Sequence, residues 1–292
     1  MRPLPETVIE KRTLQGALVR AQKLGPSEGW DLAVVSRVGR VVAALDEALF
    51  SLDLDLDARS LVRVELGVVR SLAVGGESVV AAQFDPAGTI SRLSPRDLRA
   101  QAQVKIGAPL HSVVTTPRGL VASDNRGRIS WVEGENVTLI ATRPHAMVAI
   151  GMLRDERVAA ASLVKTVFVF GRDGSKRVWE GLPAIPYVLA THQDTIAVGL
   201  GKRIWVQRLA PGNDEPPTWL AAHEGVVSAL AFDDDGTLRS AGEEGWIHVW
   251  PPSTRGYGPT PTASIAGRGR IQAFARLDDA LFVLRRESGK LR

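Results

Sequence analysis

Five histidines, His111, His145, His192, His223 and His248, are the side chains here best suited to proton or metal chemistry. A helical metal site needs two of them four residues apart, and finger-type sites need short Cys and His spacings. No pair is that close, and the chain has no Cys. Disulfides, thiolate ligands and a Cys nucleophile are thereby excluded. A hydrolase serine would sit in a Gly-x-Ser-x-Gly elbow, and none occurs. No Gly-rich run leads into Lys and Ser or Thr, so there is no phosphate-binding loop; "GLGKR" at 199–203 reads as a tight hairpin corner. The run "DLDLD" from Asp53 to Asp57 has the carboxylates that calcium would need. On a strand, its alternation would put every carboxylate on one face, as at an ordinary solvated edge. These residues predict no catalytic set, no metal and no cofactor.

The elements that carry them follow from composition and period. With 292 residues and 45% hydrophobic content, the chain can bury a full core. No apolar run approaches the roughly 20 residues that span a bilayer. The N-terminal "MRPLPETVIEKRTLQGALV" has no apolar signal core, so a cytoplasmic location and no membrane partner are expected. Net charge is +4, carried by 29 Arg and 7 Lys against 32 acidic residues.

Short alternating runs recur. They open at "VRSLAV" (Val69), "LHSVV" (Leu110), "MVAIGML" (Met147), "PYVLAT" (Pro186), "VVSALAF" (Val226) and "RIQAFA" (Arg270), in steps of 41, 37, 39, 40 and 44 residues. Each is followed by further strand-length runs separated by Gly or Asp corners, where Gly236 and Gly245 supply the positive φ of tight turns. An earlier unit begins at Asp31. Four short strands per roughly 40 residues predict a β-propeller. The expected fold is all-β, seven blades of four antiparallel strands in one domain, at about 31–68, 69–107, 108–142, 143–181, 182–221, 222–266, and 267–292 with 1–30. The last blade is expected to close by pairing strands from both termini, which leaves no open edge. A helix over Val8 to Leu24 is the alternative, from the spacing of Ile9, Leu14, Leu18 and Ala21. The Pro- and Gly-rich "APGNDEPP" and "PPSTRGYGPTPTA" read as projecting loops.

One unit is more specific. "AHEGVVSALAFDDDGTLRSAGEEGWIHVW", Ala222 to Trp250, resembles a blade of the WD-repeat β-propellers. His223 stands at the His of that family's Gly-His pair, "FDDDGT" at its "FSPDGT" corner and "RSAGEEG" at its "ASGSxDG". Trp250 stands at the terminal Trp, with Pro251 in place of Asp. The resemblance implies a buried hydrogen-bonded set of His223, Ser240, Glu244 and Trp250. Glu244 replaces the usual Asp and is one methylene longer, which puts the network in question. His145 precedes Val148 as His223 precedes Val226 and takes the same structural role.

The resemblance and the missing catalytic set together imply a non-catalytic protein-interaction scaffold, or a subunit of a larger bacterial assembly. Partners would bind on the loop-bearing face, through corners between second and third strands and between fourth and first. Those corners hold Glu224, Glu243, Glu244, Trp246, Asn125, Arg126, Lys202, Arg203, Arg268 and Arg270. Trp246 is either a binding anchor or packs on a neighbouring blade. Two other classes stay open: a lyase or hydrolase with a channel site, and a nucleic-acid binder. The last rests on charge, because residues 268–292 carry seven basic and three acidic side chains and residues 1–30 carry five and three. One basic sector would attract an acidic surface or a phosphate backbone, or the charges lie on solubilising tails. If the sector is functional, reversing Arg285 and Arg286 would weaken binding and leave the melting temperature unchanged.

Overall fold

Among the described residues there are seven antiparallel sheets of four strands, six of them running up and down in chain order and one joining both ends of the chain, which makes the fold a seven-bladed β-propeller. The computed structural model describes residues 5–171, 175–209, 216–253, 256–267 and 269–287. Arg268 and most of "APGNDEPP" lie outside the described residues. Among the described residues no helix is long and apolar enough to cross a membrane. The chain divides into two units, residues 1–115 with 267–292, and residues 116–266.

In the first unit, one sheet takes strands from both ends of the chain, in the order Leu18–Gly25, Thr7–Thr13, Ala280–Arg286, Arg270–Leu277. Thr7 pairs with Arg286 and Thr13 with Ala280. The helix over Val8 to Leu24 does not form. Gly16, at φ 94°, turns the chain back between the two strands. Leu18, which the helical spacing would have buried, is exposed, whereas Val8 and Ile9 are buried by strand pairing.

The first blade holds Gly29–Val35, Arg40–Leu45, Ala48–Asp53 and Val62–Glu65; the second holds Val69–Gly75, Ser78–Gln83, Thr89–Leu93 and Ala100–Lys105. Alternating side chains fill the spaces between sheets. Ile9, Phe282 and Leu284 of the terminal blade pack on Val41, Leu45 and Phe50. Val42, Ala44 and Leu49 pack on Val79, Ala81 and Leu93. The "DLDLD" run is a turn and not a strand edge. Asp53 accepts the backbone N–H groups of Asp55 (3.1 Å) and Asp57 (2.9 Å), and Leu56 turns inward, fully buried.

First strands are also tied to one another by side chains. The half-buried Asp31 carboxylate accepts the N–H of Leu32 (2.8 Å) and, in the next blade, that of Leu72 (2.7 Å). The Ser71 hydroxyl meets the N–H of Val113 (3.3 Å), and Thr115 donates to the Val74 carbonyl (2.8 Å). Burial pushes the Asp31 carboxyl up to about 6, against the pull of its N–H donors.

The third blade is made of Leu110–Thr116, Gly119–Asp124, Arg128–Glu133 and Asn136–Thr142, so most of it lies in the second unit. That unit continues with Met147–Met152, Val158–Ser162, Thr166–Phe170 and Lys176–Trp179 in the fourth blade. Val188–His192, Thr195–Leu200, Arg203–Arg208 and Thr218–Ala221 make the fifth. The sixth has Val227–Phe232, Leu238–Gly242, Trp246–Trp250 and Ala263–Ala266. Second strands such as "VAAAS" and "LRSAG" are buried on both faces, which explains their small residues. The insertion "PPSTRGYGPTPTA" does not simply project. Pro252–Ser253 and Gly256–Tyr257 pair, and the Tyr257 hydroxyl donates to the Gly236 carbonyl at 2.7 Å. Gly236 and Gly245 have φ of 83° and 94°, as their corners require.

Candidate functional site: the blade-six network and its cleft

The approach to blade six is anchored from its neighbour, because the His223 N–H donates to the Lys202 carbonyl at 3.0 Å. That places the His223 ring between the second and third strands of its own blade. Nδ1 meets the Glu244 carboxylate, Nε2 meets the Ser240 hydroxyl at 2.8 Å, and Trp250 Nε1 donates to the same hydroxyl at 2.9 Å. The longer acid therefore completes the four-residue set. Two glycines make room for it. A Cβ on Gly242 would lie 2.2 Å from Glu244 Oε2, and one on Gly225 would lie 2.7 Å from it. With that space open, Oε2 also accepts the Gly225 N–H at 2.9 Å.

Burial holds the His223 pKa below the usual imidazole value, although Glu244 pulls it up. The ring is then neutral, with Nδ1–H donating to Glu244 and Nε2 accepting from Ser240. Acid, imidazole and hydroxyl are connected in the order of a hydrolase triad. Ser240 is fully buried, however, and its oxygen already accepts from Trp250. No substrate carbonyl reaches it, so this set is structural. His145 does not repeat the arrangement: it is exposed, and the buried Ser162 hydroxyl in its blade has no hydrogen-bond partner.

His248 is the residue that spacing alone did not place. It shares a face with Trp246 and Trp250, and its ring lies 4.5 Å from that of His223. Its Nδ1 meets the Ser264 hydroxyl at 2.7 Å, and burial, then the nearby His223, lowers its pKa. One ligand-type atom each from His223, Glu244 and His248 lies within 4.8 Å of the others. Both His223 nitrogens and Nδ1 of His248 are already hydrogen-bonded, so this cluster too serves the fold. Its members are 21 and 25 residues from His223, which is why no short-spacing motif reveals it.

Beside the network opens a cleft of about 640 Å³ between the fifth and sixth blades. Lys202, Arg203, Glu224, Glu244, His248, Pro261 and Ser264 line it, and Trp246 forms one wall. Trp246 is 40% exposed, with its ring nearly parallel to His248 at 6.3 Å. Arg203 lies over the Trp219 ring at 4.6 Å, where the aromatic face holds its charge. Five of the expected contact residues, Lys202, Arg203, Glu224, Glu244 and Trp246, thus meet in one place. Glu243 lies at the corner but does not line the cleft. Arg126 is exposed on a third-blade corner organised by Asp124, which accepts its N–H at 2.9 Å.

The expected basic sector is organised differently. Arg285 is buried and paired with Glu10 and Glu287. Burial alone would raise the Glu10 pKa, but its bonds from Arg285 and Arg12 outweigh this and hold it low. Arg270 and Arg286 both face Glu28, at 3.3 and 3.7 Å. Arg285 is therefore an internal charge, and reversing it cannot leave the melting temperature unchanged.

No protein-family model matches the sequence, and no curated protein matches it. Solved structures do match in shape. The WD40 repeats of RRP9 align with a TM-score of 0.71 at 11% identity, over 95% of this chain and 98% of that one. U3-55K gives 0.71 at 10% identity, over 94% and 98%. The WD40 β-propeller domain of Doa1 gives 0.70 at 11%, over 88% and 93%. Likeness at this identity concerns the fold, and on that ground the chain has the seven-bladed fold of the WD40-repeat β-propellers.

Proposed function

We propose that the chain is a non-catalytic interaction platform, a subunit of a larger bacterial assembly, that docks a partner protein in the cleft between blades five and six. The observation that carries this reading is Trp246, a large ring left 40% exposed on the wall of an open cleft. A half-exposed aromatic flanked by charges of both signs has the make-up of an interface anchor. Lys202 and Arg203 on one side and Glu224 on the other would set the register of an incoming chain. The Ser240 hydroxyl of the one acid–His–Ser set in the described residues is fully buried, which favours binding over catalysis.

The test is photo-crosslinking in the native host with a benzophenone amino acid at position 246, followed by mass spectrometry. The expected result is one dominant crosslinked partner, lost from chains carrying Lys202→Glu and Arg203→Glu at unchanged melting temperature. Crosslinks no more frequent than those from exposed position 126 would reject the cleft as the docking site.

A further inference from the structure

Arg70 is half-buried, and no described residue makes an ion pair or hydrogen bond with it. It is the extra residue of a bulge at the start of its strand, where the register shifts between Val69 and Ser71. Trp30 occupies the same kind of bulge in the preceding blade. Bulges re-aim side chains, and here they stack the guanidinium against two rings. Its Cζ lies 3.9 Å from the Trp30 ring centre and 4.7 Å from that of Phe84.

Neither nearby acid bonds to it. Asp46 accepts from Trp30 Nε1 (3.1 Å) and the Glu28 N–H (2.9 Å), and the Glu28 carboxylate faces Arg270 and Arg286. Arg70 makes no hydrogen bond or ion pair with any described residue, and its Nε is sealed from solvent without an acceptor. Burial depresses its pKa, with Asp46 and Glu28 opposing. A partly desolvated charge with no bonded counter-ion gains from an external acceptor. Arg143 makes the contrast: it also lies against two rings, but it donates to the Thr142 carbonyl at 2.8 Å.

We propose that Arg70, held against Trp30 and Phe84, is the receptor for a carboxylate carried on a partner polypeptide, an aspartate or glutamate side chain. The two rings lie against the guanidinium, and no described residue bonds its N–H groups. A planar carboxylate meets such groups fork to fork. The two acids close enough to act on Arg70 favour a single negative charge over a phosphate dianion or a polyanionic backbone. This site does not depend on the reading of Trp246.

The test selects random dodecapeptides on phage against the 292-residue chain. The enriched peptide is then made in three forms, with its acidic residue intact, as the amide, and as phosphoserine. By fluorescence anisotropy the acid should bind wild type about tenfold or more tighter than the amide. That difference should vanish in Arg70→Gln and shrink in Arg70→Lys. Arg70→Gln breaks no internal hydrogen bond or ion pair and loses only the contacts with two rings, so it should still fold, with a melting temperature within a few degrees of wild type. If it does not fold, Phe84→Leu, which removes one stacking face, should narrow the same acid-to-amide ratio. The proposal fails if selection enriches no acidic position, or if Arg70→Gln keeps the full acid-to-amide difference. It also fails if phosphoserine or oligothymidylate binds more tightly than the acid through Arg70. Binding lost in Trp246→Ala but kept in Arg70→Gln would overturn it as well.

Discussion

Gly242→Ala is a one-carbon change that should unmake the blade-six network. The backbone at Gly242 is one that any residue adopts, so the effect comes from space alone. The new Cβ would lie 2.2 Å from Glu244 Oε2 and 2.4 Å from Oε1, well inside any real contact. Glu244 is the flexible member and must swing away, releasing the His223 Nδ1–H and the Gly225 N–H. Each hydrogen bond to a charged group contributes about 1.5–3 kcal/mol. Losing both bounds the cost near 6 kcal/mol, and partial relaxation brings the expectation to about 3 kcal/mol. At roughly 2.1 cal/mol/K of unfolding entropy per residue, that is a fall in melting temperature of about 5 °C. The informative variant is the double mutant with Glu244→Asp. Shortening the acid by one methylene withdraws its oxygens from the new Cβ while keeping a carboxylate near His223. The double mutant should therefore recover about 2 kcal/mol relative to Gly242→Ala, a coupling that urea denaturation of the four-member cycle resolves. Strict additivity, or a Gly242→Ala protein within 0.5 kcal/mol of wild type (the usual range for innocuous surface changes), would refute the reasoning.

Arg285→Glu should cost about 3–5 kcal/mol in chemical denaturation, because it leaves Glu10 facing a like charge in a buried site. Arg286→Glu, half-buried and 3.7 Å from Glu28, should cost clearly less; equal losses would contradict the assignment of Arg285 as the internal charge. Asp31 has a folded pKa raised from 3.8 to about 6, so its stabilising contribution is complete below pH 4 and is lost as pH rises through 6. The difference between wild type and Asp31→Asn should therefore change by up to about 3 kcal/mol between pH 4 and pH 7, and a flat difference would remove the claim of burial. Deleting residues 1–28 takes two of the four strands from the terminal blade and should cause aggregation or a sharply lower melting point. A truncated chain that melts like the full one would mean the remaining pair is stable alone.

The parts of the fold that sequence reveals are those that repeat. Alternating runs every forty residues or so marked the blades, and "FDDDGT" and "RSAGEEG" marked two corners of the sixth. Pairings of residues remote in sequence, and roles that depend on a neighbour's missing atom, were not legible. Gly242 and Gly225 look like turn glycines, and only the position of Glu244 shows that their empty Cβ sites hold a longer acid. Arg285 reads as surface charge until Glu10, some 275 residues earlier, is placed beside it. The helical spacing of Ile9, Leu14 and Leu18 was real but local, and pairing with Ala280–Arg286 overrode it. Arg70 and Trp30 carry no motif at all, because a bulge is a property of two strands and not of one.

The pairing of Thr7 with Arg286 also has a kinetic side. During synthesis Thr7–Thr13 leaves the ribosome long before its partner exists, and it must wait, half a sheet with a bare edge, until Ala280–Arg286 has been translated. Bringing ends this far apart together carries a loop-closure entropy of about 5 kcal/mol. Closure is thus the most non-local event in the fold and the natural slow step. Until it happens, the nascent chain presents a sticky strand that invites trapping by other chains. A circular permutant that joins the present termini and opens at the exposed 125–126 corner would make this pairing local, shortening that vulnerable interval without altering the finished molecule.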